Sequence, residues 1–249
     1  QKTAYEMCGR DWSSDVCSSD LRLPGVDVKA CRNAFTDPTV WDSFDPACMT
    51  LCSPDPQAFR PPEEQVNVLQ VRLPTNFKSA RFDSEAHTHI LCQLQTGIEA
   101  IRFEVNGQRI ELPVKLKVHE SVFVPLAKWS MLLAGNYRCV TPQGIRPIKE
   151  AVHADLDASR EVYNWVSQLC QSLGAAESDM VPFEKYASAA LGLASPSSAA
   201  RALYGGAHHI ERVDRLVQAI AAQKGWRHPV IDDTVTLVDA QLQVNRAAS

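Results

Sequence analysis

Residues 121–136 read SVFVPLAKWSMLLAGN, and this stretch decides the fold. Apolar residues stand on nearly every face of a helical wheel, so the segment reads as a buried helix. It is too short to span a bilayer, and Lys128 sits in its middle. Around Glu120 the hydrophobic pattern changes. Beyond it, apolar residues recur at the 3.6-residue helical period. Before it, alternating runs and proline-rich pieces prevail.

Downstream, the first helix is expected over residues 120–139 and a second over 145–153. A third starts at a cap on Asp157, carries Val162, Trp165, Val166, Leu169 and Leu173, and stops at Gly174. A fourth covers 183–193. Pro196 and the serines after it open a short helix closed by Gly205 and Gly206. The next buries Ile210, Val213, Val217 and Ile220 and ends near Gly225; the last spans 232–245.

Upstream, residues 109–118 (RIELPVKLKV) alternate and predict one strand, with Pro113 favouring an edge. Asn106-Gly107 predicts a turn. Asp83 or Ser84 caps a helix whose Ile90, Leu91, Leu94, Ile98 and Ile101 share helical spacing. Residues 66–73 (VNVLQVRL) and 78–82 predict strands. Residues 22–65 are irregular, with VDVKAC (26–31) and ACMTLC (47–52) as candidate short strands. The expected class is α+β: a partial α/β region over 22–118, then an all-helical domain over 119–249. Residues 11–21 (DWSSDVCSSDL) back-translate, in one frame, to a common sequencing adapter. Residues 1–21 are therefore expected to be artefactual, with the natural sequence continuing upstream of Arg22.

The chain has 249 residues and a net charge of -4, which does not fit the basic face of a nucleic-acid binder. Eight scattered cysteines suit a reducing cytoplasm better than a disulfide framework. Cys48 and Cys52 lack the second pair that a zinc finger needs. There is no phosphate-binding Gly-Lys-Ser loop and no nucleophile elbow. No glycines are spaced G-x-G-x-x-G after a strand, so the usual dinucleotide pyrophosphate site is not expected from this chain.

Five positions could carry chemistry. Lys128, among apolar neighbours, either snorkels to the surface or sits in a cleft where desolvation suits it to donate a proton. Asn136 lies eight residues on, about 80° away around the helix; alone it reads first as a C-cap beside Gly135. Ser197 and Ser198 read first as an N-cap, a role compatible with binding a carboxylate. Glu211 sits with Arg212, Asp214 and Arg215 in what reads as a solvated charged face. His87 and His89, two apart, point to different helix faces; His208 and His209 read as surface residues.

The order of these signals resembles the ketopantoate reductase family, specifically its helical C-terminal domain of the 6-phosphogluconate-dehydrogenase-like type. The resemblance runs over roughly residues 85–245 and rests on LAKWSMLLAGN, PSSAARAL and IERVDRLV. It implies NADPH-dependent reduction of a 2-keto acid. Lys128 would be the proton donor, Asn136 and Ser198 would hold the substrate, and Glu211 would contact its hydroxyl or carbonyl oxygen. It also implies NADP as cofactor and admits a homodimer. The sequence departs from the family at Leu132, where a second asparagine is usual, and at Ile210, where threonine is usual. The alternative is a helical interaction or dimerisation module without catalysis, which would expose Lys128 and a broad apolar patch.

Overall fold

The computed structural model describes residues 23–43, 45–53, 75–112 and 114–248. The expected strand at 66–73, the segment at 11–21 and Pro113 lie outside them. The fold is mixed, with a small sheet region and a larger helical body.

Strand β1 (Cys52–Ser53) pairs antiparallel with β2 (Thr75–Ala80). Helix α1 (Glu85–Ala100) follows, and the chain returns as β5 (Val114–His119), parallel to β2, with Thr75 opposite Val114 and Ala80 opposite His119. Ser84 caps α1 by accepting a hydrogen bond from the His87 backbone N–H at 3.3 Å. Between α1 and β5, β3 (Arg102–Val105) and β4 (Gln108–Glu111) form a hairpin. Its turn holds Asn106 at φ 52 and Gly107 at φ 76. Two successive left-handed residues make the tight turn that matches strand twist, and asparagine followed by glycine tolerates it best. The run at 109–118 is therefore not one strand. Its first half pairs with β3 and its second half with β2, because pairing partners set where a strand ends.

The two short strands expected near the start are largely replaced. VDVKAC lies mostly in a 3-10 helix, Val28–Ala34, which Asp27 caps by accepting from the Lys29 backbone N–H at 3.0 Å. ACMTLC contributes to a 3-10 turn, Pro46–Cys48, and to β1. In the first piece no described strand partners the backbone; Gln223 accepts from the Asp27 N–H and the Asp27 carboxylate from the Lys29 N–H instead.

The helical body begins with α2 (Phe123–Leu126) and α3 (Lys128–Met131), then a π-helical turn (Leu132–Asn136) and a 3-10 turn (Tyr137–Cys139). A β6–β7 hairpin (Val140–Thr141, Gly144–Ile145) precedes α4 (Ile148–His153), α5 (Leu156–Ser172), α6 (Phe183–Ala190), α7 (Ser198–Tyr204), α8 (Val213–Gln223) and α9 (Pro229–Ala247). The expected helix at 120–139 is thus four short pieces. The widened π turn has a visible cause: the Tyr186 hydroxyl donates to the Met131 carbonyl at 3.1 Å. Residues 144–145 form a strand rather than the start of α4. Asp155, not Asp157, caps α5, accepting from Ala158 N–H at 2.9 Å. Helix α6 ends at Ala190, short of the expected 193, and Ile210 precedes α8 rather than lying on it. Helix α9 starts early because Pro229 suits the first helical position.

Trp129, Leu133, Val166, Leu169, Leu216 and Val238 are fully buried at the centre of the body. The same core takes in Cys31, Leu51 and Ala80, and the Val28–Ala34 turn packs on α8. Among the described residues, no helix is long and apolar enough to cross a membrane.

Candidate functional site

The π turn positions the first two candidates. Lys128 opens α3 and is half-buried, with Trp129 and Ser130 buried beside it. Helix α3 packs against α5. Asn136 ends the π turn, also half-buried, and its side-chain amide makes none of the described hydrogen bonds. Gly135, just before it, has no room for a side chain, since a Cβ there would stand 2.0 Å from the Tyr186 hydroxyl oxygen. The close approach of Tyr186 thus requires glycine at this turn.

Ser197, not Ser198, is the cap of α7. Its hydroxyl oxygen accepts from the Ala200 N–H at 3.2 Å and donates to the Asn136 carbonyl at 2.7 Å. Ser198 is the first helical residue, half-buried, with a hydroxyl that makes none of the described hydrogen bonds. One serine ties the two segments, and the next makes no such tie among the described residues.

Tyr137 ties in the third segment. It is buried, and its hydroxyl donates to the Glu211 carbonyl at 2.7 Å while accepting from the Val213 N–H at 3.0 Å. Burial pushes its phenol well above the ordinary tyrosine range, and the negative charges of Asp214 and Glu211 add to the effect. It therefore acts as a neutral clamp. Asn136, Ser198 and Glu211 thus come from three elements joined through two short hydrogen bonds. Lys128 stands eight residues before Asn136, at the start of α3, the piece that precedes the π turn.

The charged cluster around Glu211 is not a solvated face. Arg212 is 9% exposed and Asp214 0%. Arg212 binds both Asp214 oxygens at 2.9 Å and reaches Asp239 at 2.6 Å; Arg215 also pairs with Asp239. Burial works against the Arg212 charge, but the hydrogen bonds to Asp214 and Asp239 outweigh it and hold its pKa above the ordinary arginine value. The network pins the loop that carries Glu211 to the start of α8 and to α9. Helical spacing shows charge here but not where the charge points.

His87 packs edge-on against Phe82, with ring centroids 5.7 Å apart, and His208 lies 6.5 Å from His209. Among the described residues no group of histidine, cysteine, aspartate or glutamate is arranged to hold a metal ion. The described β2–α1 turn, Arg81 to Ser84, does not fit a dinucleotide. It has no glycine, and Glu85 occupies the first helical turn where a pyrophosphate would need positive potential. Arg81 is already paired with Glu85 and Glu120.

Sequence reasoning missed a second cluster. A cavity of about 560 Å³ is walled by Trp165, Trp226 and His228, which come from α5 and from the segment between α8 and α9. Trp226 and His228 are near neighbours in sequence, but Trp165 lies far upstream on α5, so no local signal joins the three. No family model matches the chain, and no curated protein or solved structure matches it either.

Proposed function

We propose that the chain supplies the substrate-side part of an NAD(P)H-dependent reductase acting on a 2-keto acid, of the ketopantoate reductase type. The observation that carries this reading is the joining of Asn136, Ser198 and Glu211 through Ser197 and Tyr137. The Asn136 amide and the Ser198 hydroxyl are the hydrogen-bond donors for a substrate carboxylate and carbonyl. Glu211 accepts from a substrate hydroxyl. Lys128 donates the proton to the developing alkoxide, and its ammonium also neutralises that charge before transfer. The nicotinamide supplies the reducing equivalents when bound. The described turn that opens α1 is unsuited to hold it, so no step is assigned to residues there.

Two titrations of the full chain test this. Ketopantoate or 2-ketoisovalerate is added and binding followed by calorimetry. Saturable binding is expected, weakened roughly tenfold by Ser198→Ala or Glu211→Gln. Binding unaffected by either substitution, or absent from the unaltered chain, overturns the reading. NADPH is then expected to give no heat; micromolar binding would contradict the misfit at the α1 turn.

The interaction-module reading keeps one observation in its favour. Ile90, Leu94, Phe103, Val105 and Ile110 are all exposed on α1 and the β3–β4 hairpin. Lys128, however, is half-buried rather than on the surface.

A further inference from the structure

Every residue from 101 to 111, along both strands of the β3–β4 hairpin, is exposed. A two-stranded hairpin is marginal in water by itself, and its edges are open templates for another strand. Ile101, the extended residue before β3, shares a face with Phe103 and Val105; the three are 46%, 36% and 40% exposed. Arg102 and Glu104 occupy the other face. Across the hairpin Arg102 stands opposite Glu111 and pairs with it at 3.1 Å, while Glu104 stands opposite Arg109.

The hairpin turn has two residues, so Val105 and Gln108 beside it exchange both ladder hydrogen bonds. Alternation then directs the backbone groups of Phe103 toward β4 and those of Arg102 and Glu104 outward, to the open edge. That edge carries Ile-Arg-Phe-Glu-Val over 101–105, which is complementary to itself when run antiparallel about Phe103. Phe103 meets its own copy, Arg102 meets Glu104, and Ile101 meets Val105. The resulting four-stranded sheet has rows of alternating charge, Glu111-Arg102-Glu104-Arg109, on either side of an apolar row of Ile110 and Phe103. The edge of β4 matches itself less well. Centring it on Ile110 sets Gln108 against Leu112, and Pro113 behind them has no N–H to donate.

We propose that the outer edge of β3 pairs antiparallel with the same edge of a second copy of this chain, about a two-fold axis at Phe103. Opposite charges fix the register, and the apolar row supplies the buried surface. The contact is small, so the dimer is weak and concentration-dependent. Lys128, Asn136, Ser198 and Glu211 lie outside the hairpin, and the inference does not depend on the reductase reading.

Sedimentation velocity of the full chain tests it, from about 10 μM to about 1 mM. A monomer–dimer equilibrium with its midpoint in that range is expected; a monomer throughout overturns the proposal. Glu104→Arg sets arginine against arginine at both symmetric contacts, and Arg102→Glu sets glutamate against glutamate. Each should weaken dimerisation roughly tenfold or more. An equimolar mixture of the two variants restores opposite charges at both contacts. It should recover an affinity within roughly threefold of the unaltered chain. Circular dichroism and a urea midpoint confirm that each variant is folded. Unchanged dimerisation in either folded variant overturns the proposal, and so does a mixture that stays monomeric.

Discussion

Helix α1 and helix α8 carry similar apolar spacing and meet different fates. In α8, Val213, Leu216, Val217 and Ile220 are at most 1% exposed. In α1, Ile90 is 63% and Leu94 54% exposed. Among the buried residues of α1 only Thr88 appears, where its hydroxyl bonds back to Phe82 and Ser84. Apolar periodicity identifies a helix and its preferred face, but it does not supply the surface that covers that face. Helix α8 is covered by the Val28–Ala34 turn, by α9 and by the π turn; α1 rests on β5 with part of its stripe uncovered by the described residues.

The sharpest way to break this contrast is at the buried ion network. Asp214→Ala leaves Arg212 enclosed with half its partners gone and should destabilise the fold by about 3–5 kcal/mol, read from urea unfolding. A loss under about 1 kcal/mol would mean that the cluster behaves as surface charge after all.

Next comes the π turn. Gly135→Ala forces a methyl group against Tyr186 and should cost about 1–3 kcal/mol. Adding Tyr186→Phe should recover part of that loss, because the clashing oxygen is gone. If the double variant is no better than the single one, the turn is not held open by Tyr186.

Cysteine chemistry separates the two regions by pH. Burial pushes the Cys170 thiol up to about 12, whereas Cys92 on α1 is exposed. A raised folded pKa favours the protonated thiol, so this contribution to stability is complete below the unfolded value near pH 9 and fades as pH rises toward 12. Native alkylation at pH 8.5 should label Cys92 and spare Cys170, by peptide mass analysis. Rapid labelling of Cys170 would mean that the body opens readily.

The smallest effect belongs to α1. Ile90→Ser or Leu94→Ser should change stability by no more than about 0.5 kcal/mol, by the same urea assay. A larger loss would reveal that this stripe is covered in solution.

The candidate site was partly legible. Lys128, Asn136, Ser198 and Glu211 were visible as residue types in order, because short motifs survive in the linear chain. The assignment of the cap to Ser197 was not visible, since either serine satisfies the same local rule and only the Asn136 carbonyl chooses between them. Arg212 and Asp214 read as solvated because charge is usually outside; their burial depends on Asp239, far along the chain in α9.

What the sequence determined by itself was local: the Asn106-Gly107 turn, the Ser84 cap, the helical period after Glu120 and the short helix opened by the serines after Pro196. Each follows from backbone preferences and hydrogen bonds within a few residues. What only the tertiary structure decided was the splitting of 109–118 between two partners, the π turn under Tyr186, the clamp at Tyr137 and the indole-walled cavity. Those depend on groups brought together across the chain, and packing energy, which has no sequence range, selects among locally equivalent choices.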